Sequence, residues 1–440
     1  MLLHAQGRFE EAAAAFREGI AAQPDLAELH VNLAQALTAG GDFDGAAGEY
    51  QLALKADPSY APALNGIGTL HVRAGRFAQA RECFERVLAG DSRDLTAHAA
   101  MYELEQIDNN VPKALYHQRR ILERKTLFSE FAPQERRRLL ALLVPGDWQA
   151  NVPVDFLIDR RTTTLHKFYL LSPQQSGAAP MPQADAVFVA IGESDEAVEA
   201  LSLASALLKR IGLPYINDPH KILATNRVQV ARNLAGIANV HVPPTSRVRR
   251  QQLESAPLEF PVVLRPVGSQ AGHQLARIAD AHELATYLQK VAAEAFYTMP
   301  FVDFRSPDGY YRKYRIVIVD KQPYPYHLAI SPNWMIHYYN APMRETAWMR
   351  DEEAAFLAEF DRVFPAPLQR ALREVAQAIG LDYFGIDCSI DPQGRLLIFE
   401  ADPAMIVHAG DEPHLFAYKQ PYVQRIFAAF EALIDRARSR

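Results

Sequence analysis

Cysteine is nearly absent: Cys83 and Cys388 stand far apart in segments of different character. That excludes a disulfide framework or a cysteine metal site and fits a reducing compartment, so a cytoplasmic protein is expected. Long apolar runs are missing as well. Nothing approaches the roughly 18 apolar residues that cross a bilayer, and the opening residues Met1–Gln6 lead into charged, helix-like sequence, so no membrane partner is expected. Charge of one sign is not in excess. Lys and Arg (46) are scattered among Asp and Glu (52), giving −6 over 440 residues, and without a basic block nucleic acid is not an expected partner. Apolar residues at 49% and charged residues at 22% leave no compositional sign of disorder. The length exceeds one ordinary core, so several folding units are expected.

What is present first is a repeat. Gly7-Arg8-Phe9, Gly41-Asp42-Phe43 and Gly75-Arg76-Phe77 recur every 34 residues. Ala12, Ala46 and Ala80 keep the same step, as do Phe16, Tyr50 and Phe84, and Pro24 and Pro58, with Ser92 at the next proline position. The pattern predicts one helix pair per repeat: Gly turns the chain, Ala permits close packing, the aromatic fills the gap and Pro opens the next unit. Interval and residue types resemble the tetratricopeptide repeat (TPR) over residues 1–110, with the first unit lacking most of its first helix. Such an array offers a concave groove for a peptide or partner protein, or serves as a scaffold packing on its neighbours. Residues 111–150 are expected as a helical connector containing Arg136-Arg137-Arg138 and a Pro145-Gly146 break.

From residue 151 short apolar runs alternate with helices, which argues for α/β construction. Val154–Ile158, Ala186–Ile191 and Leu213–Ile216 are expected as strands, with Gly192-Glu193-Ser194-Asp195 starting a helix that runs to about Arg210. The run Phe260–His273 places Arg265 at a strand end, followed by a loop containing Gly268, Ser269 and Gly272 and a returning strand, Leu275–Ile278. Glycines let backbone N–H groups approach phosphate oxygens while the cation offsets their charge. Asp387–Pro403 is expected as a hairpin turned by Asp391-Pro392-Gln393-Gly394. Alternation sets Glu400 and Asp402 on one face with Asp387 opposite them. Three converging carboxylates repel unless a cation sits between them, and hard oxygen ligands suit Mg²⁺ held jointly with phosphates. Lys313 and Arg315 share a strand face able to meet phosphate oxygens. His327, His337 and Asn340 lie in a stretch rich in aromatics and histidine, where a neutral imidazole can do acid–base work; His408 is a weaker candidate of that kind.

The order of glycine loop, hinge and acidic hairpin resembles the ATP-grasp superfamily over residues 151–435. The fold expected is therefore all-α TPR repeats followed by an α/β (α+β) ATP-grasp fold, with an N-terminal α/β domain at 151–235 and the nucleotide-binding and catalytic domains at 236–440. The resemblance implies ATP and Mg²⁺ as cofactors. It implies Arg227 and Arg265 at the positions of two phosphate-binding lysines, Gly268–Gly272 as the loop over the phosphates, and Met299 and Phe301 in the hinge beside adenine. It also implies Lys313 on phosphate, Arg315 steadying the transferred phosphoryl group, and Asp387, Glu400 and Asp402 as magnesium ligands. By the same resemblance His327, His337 and Asn340 would border the acceptor pocket. The chain departs from the family pattern in carrying Arg at both lysine positions and Asp402 where Asn is usual; Arg keeps the charge but presents a planar fork. The activity implied is ATP-dependent carboxylate–amine, or carboxylate–thiol, ligation through an acyl phosphate, on a peptide or protein recruited by the repeats. The alternatives are a non-catalytic nucleotide-binding scaffold or sensor, and a phosphotransferase. Oligomeric state is left open.

Overall fold

The computed structural model describes residues 8–108, 110–147, 149–172, 181–255, 258–269 and 272–439. It comprises two compact units, Met1–Thr126 and Leu127–Arg440. Among the described residues no helix is long and apolar enough to cross a membrane.

In the first unit, helices α1 (Phe9–Ala22), α2 (Ala27–Gly40), α3 (Phe43–Ala56), α4 (Ala61–Arg73), α5 (Phe77–Gly90), α6 (Leu95–Ile107) and α7 (Val111–Leu122) each pack on the next. Gly7 lies outside the described residues. Gly41 and Gly75 turn the chain with φ of +90° and +70°, a left-handed conformation that costs glycine nothing. Ala46 and Ala80 are fully buried. The repeat aromatics need flat partners: a Cβ on Gly66 would lie 2.2 Å from the Tyr50 ring, and one on Gly68 2.7 Å from the Phe84 ring.

Two histidines, two repeat intervals apart, tie each turn to a later helix. His30 Nε2 bonds the Pro24 carbonyl (2.7 Å) and its Nδ1 the Glu49 carboxylate (2.7 Å). His98 Nε2 bonds the Ser92 carbonyl (3.0 Å) and its Nδ1 meets His117 Nδ1 (2.8 Å). Two facing Nδ1 atoms share one hydrogen, so one of them must accept. Burial, and next the neighbouring His98, push the His117 imidazole down from 6.5 to about 4. With the folded value below the unfolded one, this contribution is complete above pH 6.5 and is lost as pH falls from about 6.5 towards 4, by about 2–3 kcal/mol. The unit contains no tryptophan; all three, Trp148, Trp334 and Trp348, lie in the second. The helical transition followed by circular dichroism should therefore weaken over that pH range, and His117→Gln should flatten the dependence.

The second unit begins earlier than residue 151. Of the expected helical connector only Val111–Leu122 is helical, while β1 (Leu127–Glu130) and β2 (Arg137–Leu143) are strands. They join β3 (Thr163–Tyr169), β4 (Ala186–Val189) and β5 (Tyr215–Ile216) in a sheet of order β1-β3-β2-β4-β5, parallel except for β1. The run of leucines in β2 is the signature of a strand covered on both faces. Leu140 and Leu142 pack in one core, and Leu139, Ala141 and Leu143 in another. Val154–Ile158, expected as a strand, is a helical turn α8 (Val154–Leu157) after Pro153, burying Val154 and Leu157. An apolar run this short does not distinguish a strand from a helical turn. Helix α9 (Val198–Ile211) packs on the Leu140 face, and α14 (Gln420–Arg438) on the other.

Helix α10 (Arg227–Leu234) and the short β6 (Val240–His241) lead to an antiparallel sheet of order β7-β10-β8-β9, formed by β7 (Ser246–Arg249), β8 (Val262–Pro266), β9 (Ala276–Ile278) and β10 (Ala295–Pro300). It has its own small core with α11 (Ala281–Lys290), built from Val262, Leu264, Phe296, Leu284 and Leu288. Alternation therefore turns Arg265 away from that core. The last sheet runs β12-β11-β13-β14-β6, from β11 (Tyr311–Val319), β12 (Gln322–Ser331), β13 (Tyr383–Ile390) and β14 (Leu396–Asp402), with α12 (Ala347–Ala358) and α13 (Ala366–Ile379) between β12 and β13 in sequence.

Candidate functional site

Strand register lines up the chemistry in two rows. Across the last sheet, His327, Arg315, Asp387 and Glu400 are successive partners on β12, β11, β13 and β14. Directly opposite residues share a sheet face, so one row holds an imidazole, a guanidinium and two carboxylates. Across the small sheet, Arg247, Tyr297 and Arg265 are successive partners on β7, β10 and β8. The rows meet where Arg265 Nη1 stands 3.8 Å from Glu400 Oε2.

The acidic hairpin forms as its sequence requires. Gly394 takes a φ of +73°, and the buried Asp391 carboxylate accepts the N–H groups of Gln393 (3.0 Å) and Arg395 (2.9 Å). Glu400 and Asp402 fall on one face, opposite Asp387 and Gly385. The cation between the carboxylates, however, is supplied by the chain itself. Arg315 grips Asp387 with two bonds, Nε–Oδ1 at 2.6 Å and Nη2–Oδ2 at 2.9 Å, and Lys313 Nζ adds a third at 3.0 Å. Asp387 is 1% exposed. Burial alone would raise its carboxyl, but the charges of Arg315 and Lys313 hold it well below the usual range. Against burial, Asp387 also raises the Arg315 guanidinium.

Glu400 is held by Arg227, which opens α10 behind the Asn226 cap (Asn226 Oδ1 to Gln229 N, 3.0 Å) and also reaches the Phe399 carbonyl at 3.3 Å. Burial opposes its ionisation, yet Arg227 brings it below its ordinary value. Burial, then the nearby Arg227, bring Arg265 down to about 10. Asp402 accepts only the Ala404 N–H (2.8 Å) among the described residues; burial and then the Glu400 charge push it up to about 6. Glu193, in the loop after β4, is pushed up to about 7 by burial and then by Asp195.

Around this assembly, Arg265 Nε bonds the Ser269 carbonyl (3.0 Å) and hydroxyl (3.2 Å), fastening the strand end to its turn. Gly268 and Gly272 have φ of +78° and +69°; the intervening Gln270 and Ala271, part of the expected phosphate loop, lie outside the described residues. A Cβ on Gly272 would come within 2.4 Å of His337 Nε2, so His337 borders the end of that loop. Burial and then Lys313 lower the His337 imidazole. Asn340 does not aim into the row: its carboxamide oxygen accepts the His337 N–H (2.8 Å) and caps a one-turn helix at Tyr338–Asn340. Met299 lies in β10 opposite Val263. Phe301 follows β10, 5.6 Å from the Trp334 ring and under the Arg277 guanidinium at 4.5 Å.

The His327 ring is sandwiched between Tyr326 (4.9 Å) and Tyr338 (4.4 Å), and its imidazole makes no hydrogen bond to any described residue. Burial, then Arg315, hold it neutral, well below its ordinary value. Behind it lies a network that sequence reasoning missed. Glu353, fully buried, accepts from Leu328 N (3.0 Å), Tyr418 OH (2.6 Å) and Tyr338 OH (3.3 Å). Lys419, 1% exposed, pairs with Asp411 and bonds Tyr338 OH at 3.1 Å. His408 accepts the Gly410 N–H through Nδ1 (3.1 Å). A separate cavity of about 450 Å³, lined by Tyr324, Phe360, Arg362, Tyr422 and Arg425, contains none of the residues of either row.

Among the described residues, no group of three His, Cys, Asp or Glu side chains is arranged to hold a metal ion. The donor chemistry explains this: Asp387 and Glu400 are engaged by cations, and Asp402 alone is open.

Family models for the tetratricopeptide repeat match residues 2–61 and 37–104; the N-terminal helices carry these repeats. No curated protein matches the chain. Among solved structures, the VanG D-Ala:D-Ser ligase from Enterococcus faecalis aligns at 12% identity with a TM-score of 0.45, covering 68% of this chain and 99% of that one.

Proposed function

We propose that the second unit is an ATP-grasp ligase, which uses ATP with magnesium to activate a carboxylate as an acyl phosphate and joins it to an amine or, as the lesser alternative, a thiol. The repeats recruit a peptide or protein substrate. The observation carrying this reading is the meeting of the two rows. Four cations, Arg227, Arg265, Lys313 and Arg315, interlock with Asp387 and Glu400, and Asp402 stands open beside them. Without ligand the set carries four positive and at most three negative charges, and it would become a triphosphate–metal site by exchange of partners. Arg227 and Arg265 would hold phosphate oxygens in place of Glu400, and Glu400 with Asp402 would then be the hard oxygen donors for the metal. Magnesium, when bound there, offsets charge on the phosphoryl oxygens. Lys313 and Arg315, anchored on Asp387, present positive charge where the phosphoryl group moves, and cost no reorganisation at that moment. His327, neutral and stacked at the end of the row, is the acid–base candidate, and Met299 and Phe301 border the base.

Incubation with ATP, Mg²⁺, hydroxylamine and a panel of carboxylates tests the reading: ADP and a hydroxamate should form together with one class of carboxylate. A second reading, nucleotide binding without turnover by a sensor or scaffold, is favoured by the three-bond closure of Arg315 and Lys313 on Asp387. It predicts nucleotide binding with neither product from any carboxylate.

A further inference from the structure

The loop leaving β4 carries a carboxylate that the phosphate and metal roles do not use. Gly192 is wedged in place: its N–H donates to the Ala150 carbonyl at 2.8 Å, and a Cβ there would meet Ala404 Cβ at 3.1 Å and the carbonyls of Gln149 and Ala150 at 3.1 and 3.2 Å. The next residue, Glu193, is thereby set beside the end of the acidic hairpin, where its charge and that of Asp402 act on each other. On its other side the loop is tied to the small sheet, since Arg247 holds Asp195 through two bonds of 2.9 and 2.6 Å. Glu193 thus lies between the end of the hairpin and the strand pair in which Arg247 stands opposite Tyr297, and its charge acts on both of these side chains.

Glu193 is half-buried, yet it makes no hydrogen bond or ion pair with any described residue, and neither does the Tyr297 hydroxyl. The arginines within reach are committed: Arg227 to Glu400 and the Phe399 carbonyl, Arg247 to Asp195. The other charges acting on Glu193 are those of Asp195 and Asp402. A carboxylate so placed attracts a positively charged hydrogen-bond donor brought from outside, and a hydroxyl near enough to feel its charge can share the load.

We propose that Glu193, with the Tyr297 hydroxyl, receives the ammonium group of the amine acceptor, making it the specificity-determining residue that selects an amine over a thiol or alcohol. This rests on the ligase reading and adds to it the class of nucleophile.

The test is calorimetry on the full chain, saturated with Mg²⁺ and a non-hydrolysable ATP analogue. The titrants are ethylamine, glycinamide and lysinamide, with ethanol and propionamide as neutral controls. Wild type should bind at least one amine and neither control. Glu193→Gln should weaken that binding about tenfold or more, the worth of a charge-assisted hydrogen bond, and Tyr297→Phe should weaken it less. The analogue should bind wild type and Glu193→Gln alike. Equal amine binding by Glu193→Gln, or no amine binding by a wild type that holds the analogue, overturns the proposal. Loss of analogue binding in Glu193→Gln also overturns it, by placing Glu193 in the nucleotide site. A wild type that does not bind the analogue contradicts the ligase reading itself, and the inference falls with it.

Discussion

Asp387→Ala is expected to destabilise the second unit by about 3–5 kcal/mol, the usual cost of removing one side of a buried ion pair. The carboxylate is 1% exposed, and the side chains of Lys313 and Arg315 only 13% and 23%. Without Asp387 both cations lose their bonded counter-charge in a desolvated setting, with only the more distant Glu400 and Asp402 acting on Arg315. Asp387→Asn keeps the shape and loses the charge, so it should cost nearly as much. Denaturant unfolding followed by tryptophan fluorescence isolates this unit, because all three tryptophans lie within it. Asp195→Ala provides the contrast. The Arg247–Asp195 pair is about half exposed on both sides, and its loss should cost below about 1 kcal/mol. Equal losses at the two positions would contradict the central place given to Asp387.

Arg315→Ala is expected to lower the rate of ADP and hydroxamate formation by about 10²–10³, the range for removing one charge-stabilising donor from a transition state. Its affinity for a nucleotide analogue should change far less, because Arg227, Arg265 and Lys313 remain. The fold should survive, since Lys313 still pairs with Asp387. Arg315→Lys should recover part of the rate, as a single ammonium keeps the charge but cannot grip Asp387 with a fork. A rate unchanged in Arg315→Ala would remove this residue from the chemistry.

Local patterns in the sequence carried over well. The 34-residue step of Gly41 and Gly75, Ala46 and Ala80, and Tyr50 and Phe84 became helix pairs, because each residue type solves a packing problem inside its own repeat. The alternation in Leu396–Asp402 likewise fixed which face Glu400 and Asp402 share. Misreadings came where local pattern is ambiguous. Val154–Leu157 is too short for its apolar residues to separate a strand from a turn of helix. The leucines of β2 looked helical because a strand buried on both faces has no alternation to show. The site was legible in its residue types but not in its pairings. Crowded carboxylates at Asp387, Glu400 and Asp402 called for a cation, and the fold brings Arg315 and Lys313 from β11 to Asp387 and Arg227 from α10 to Glu400. Glu353 and Lys419 gave no local signal, since their burial comes from segments distant in sequence, and Glu193 was legible only as part of a helix start after a strand. Asn340 looked chemical beside His337 and proves to cap a turn.

The most direct test of the central claim is calorimetric titration of Mg²⁺ and a non-hydrolysable ATP analogue, separately and together, into wild type and the Glu400→Ala, Asp402→Ala double variant. The account predicts tight binding by wild type only when metal and nucleotide are both present, and loss of that mutual dependence in the double variant. If both proteins bind neither ligand, or if the double variant binds the pair as wild type does, the partner exchange between Arg227, Arg265 and Glu400 is not how this site works.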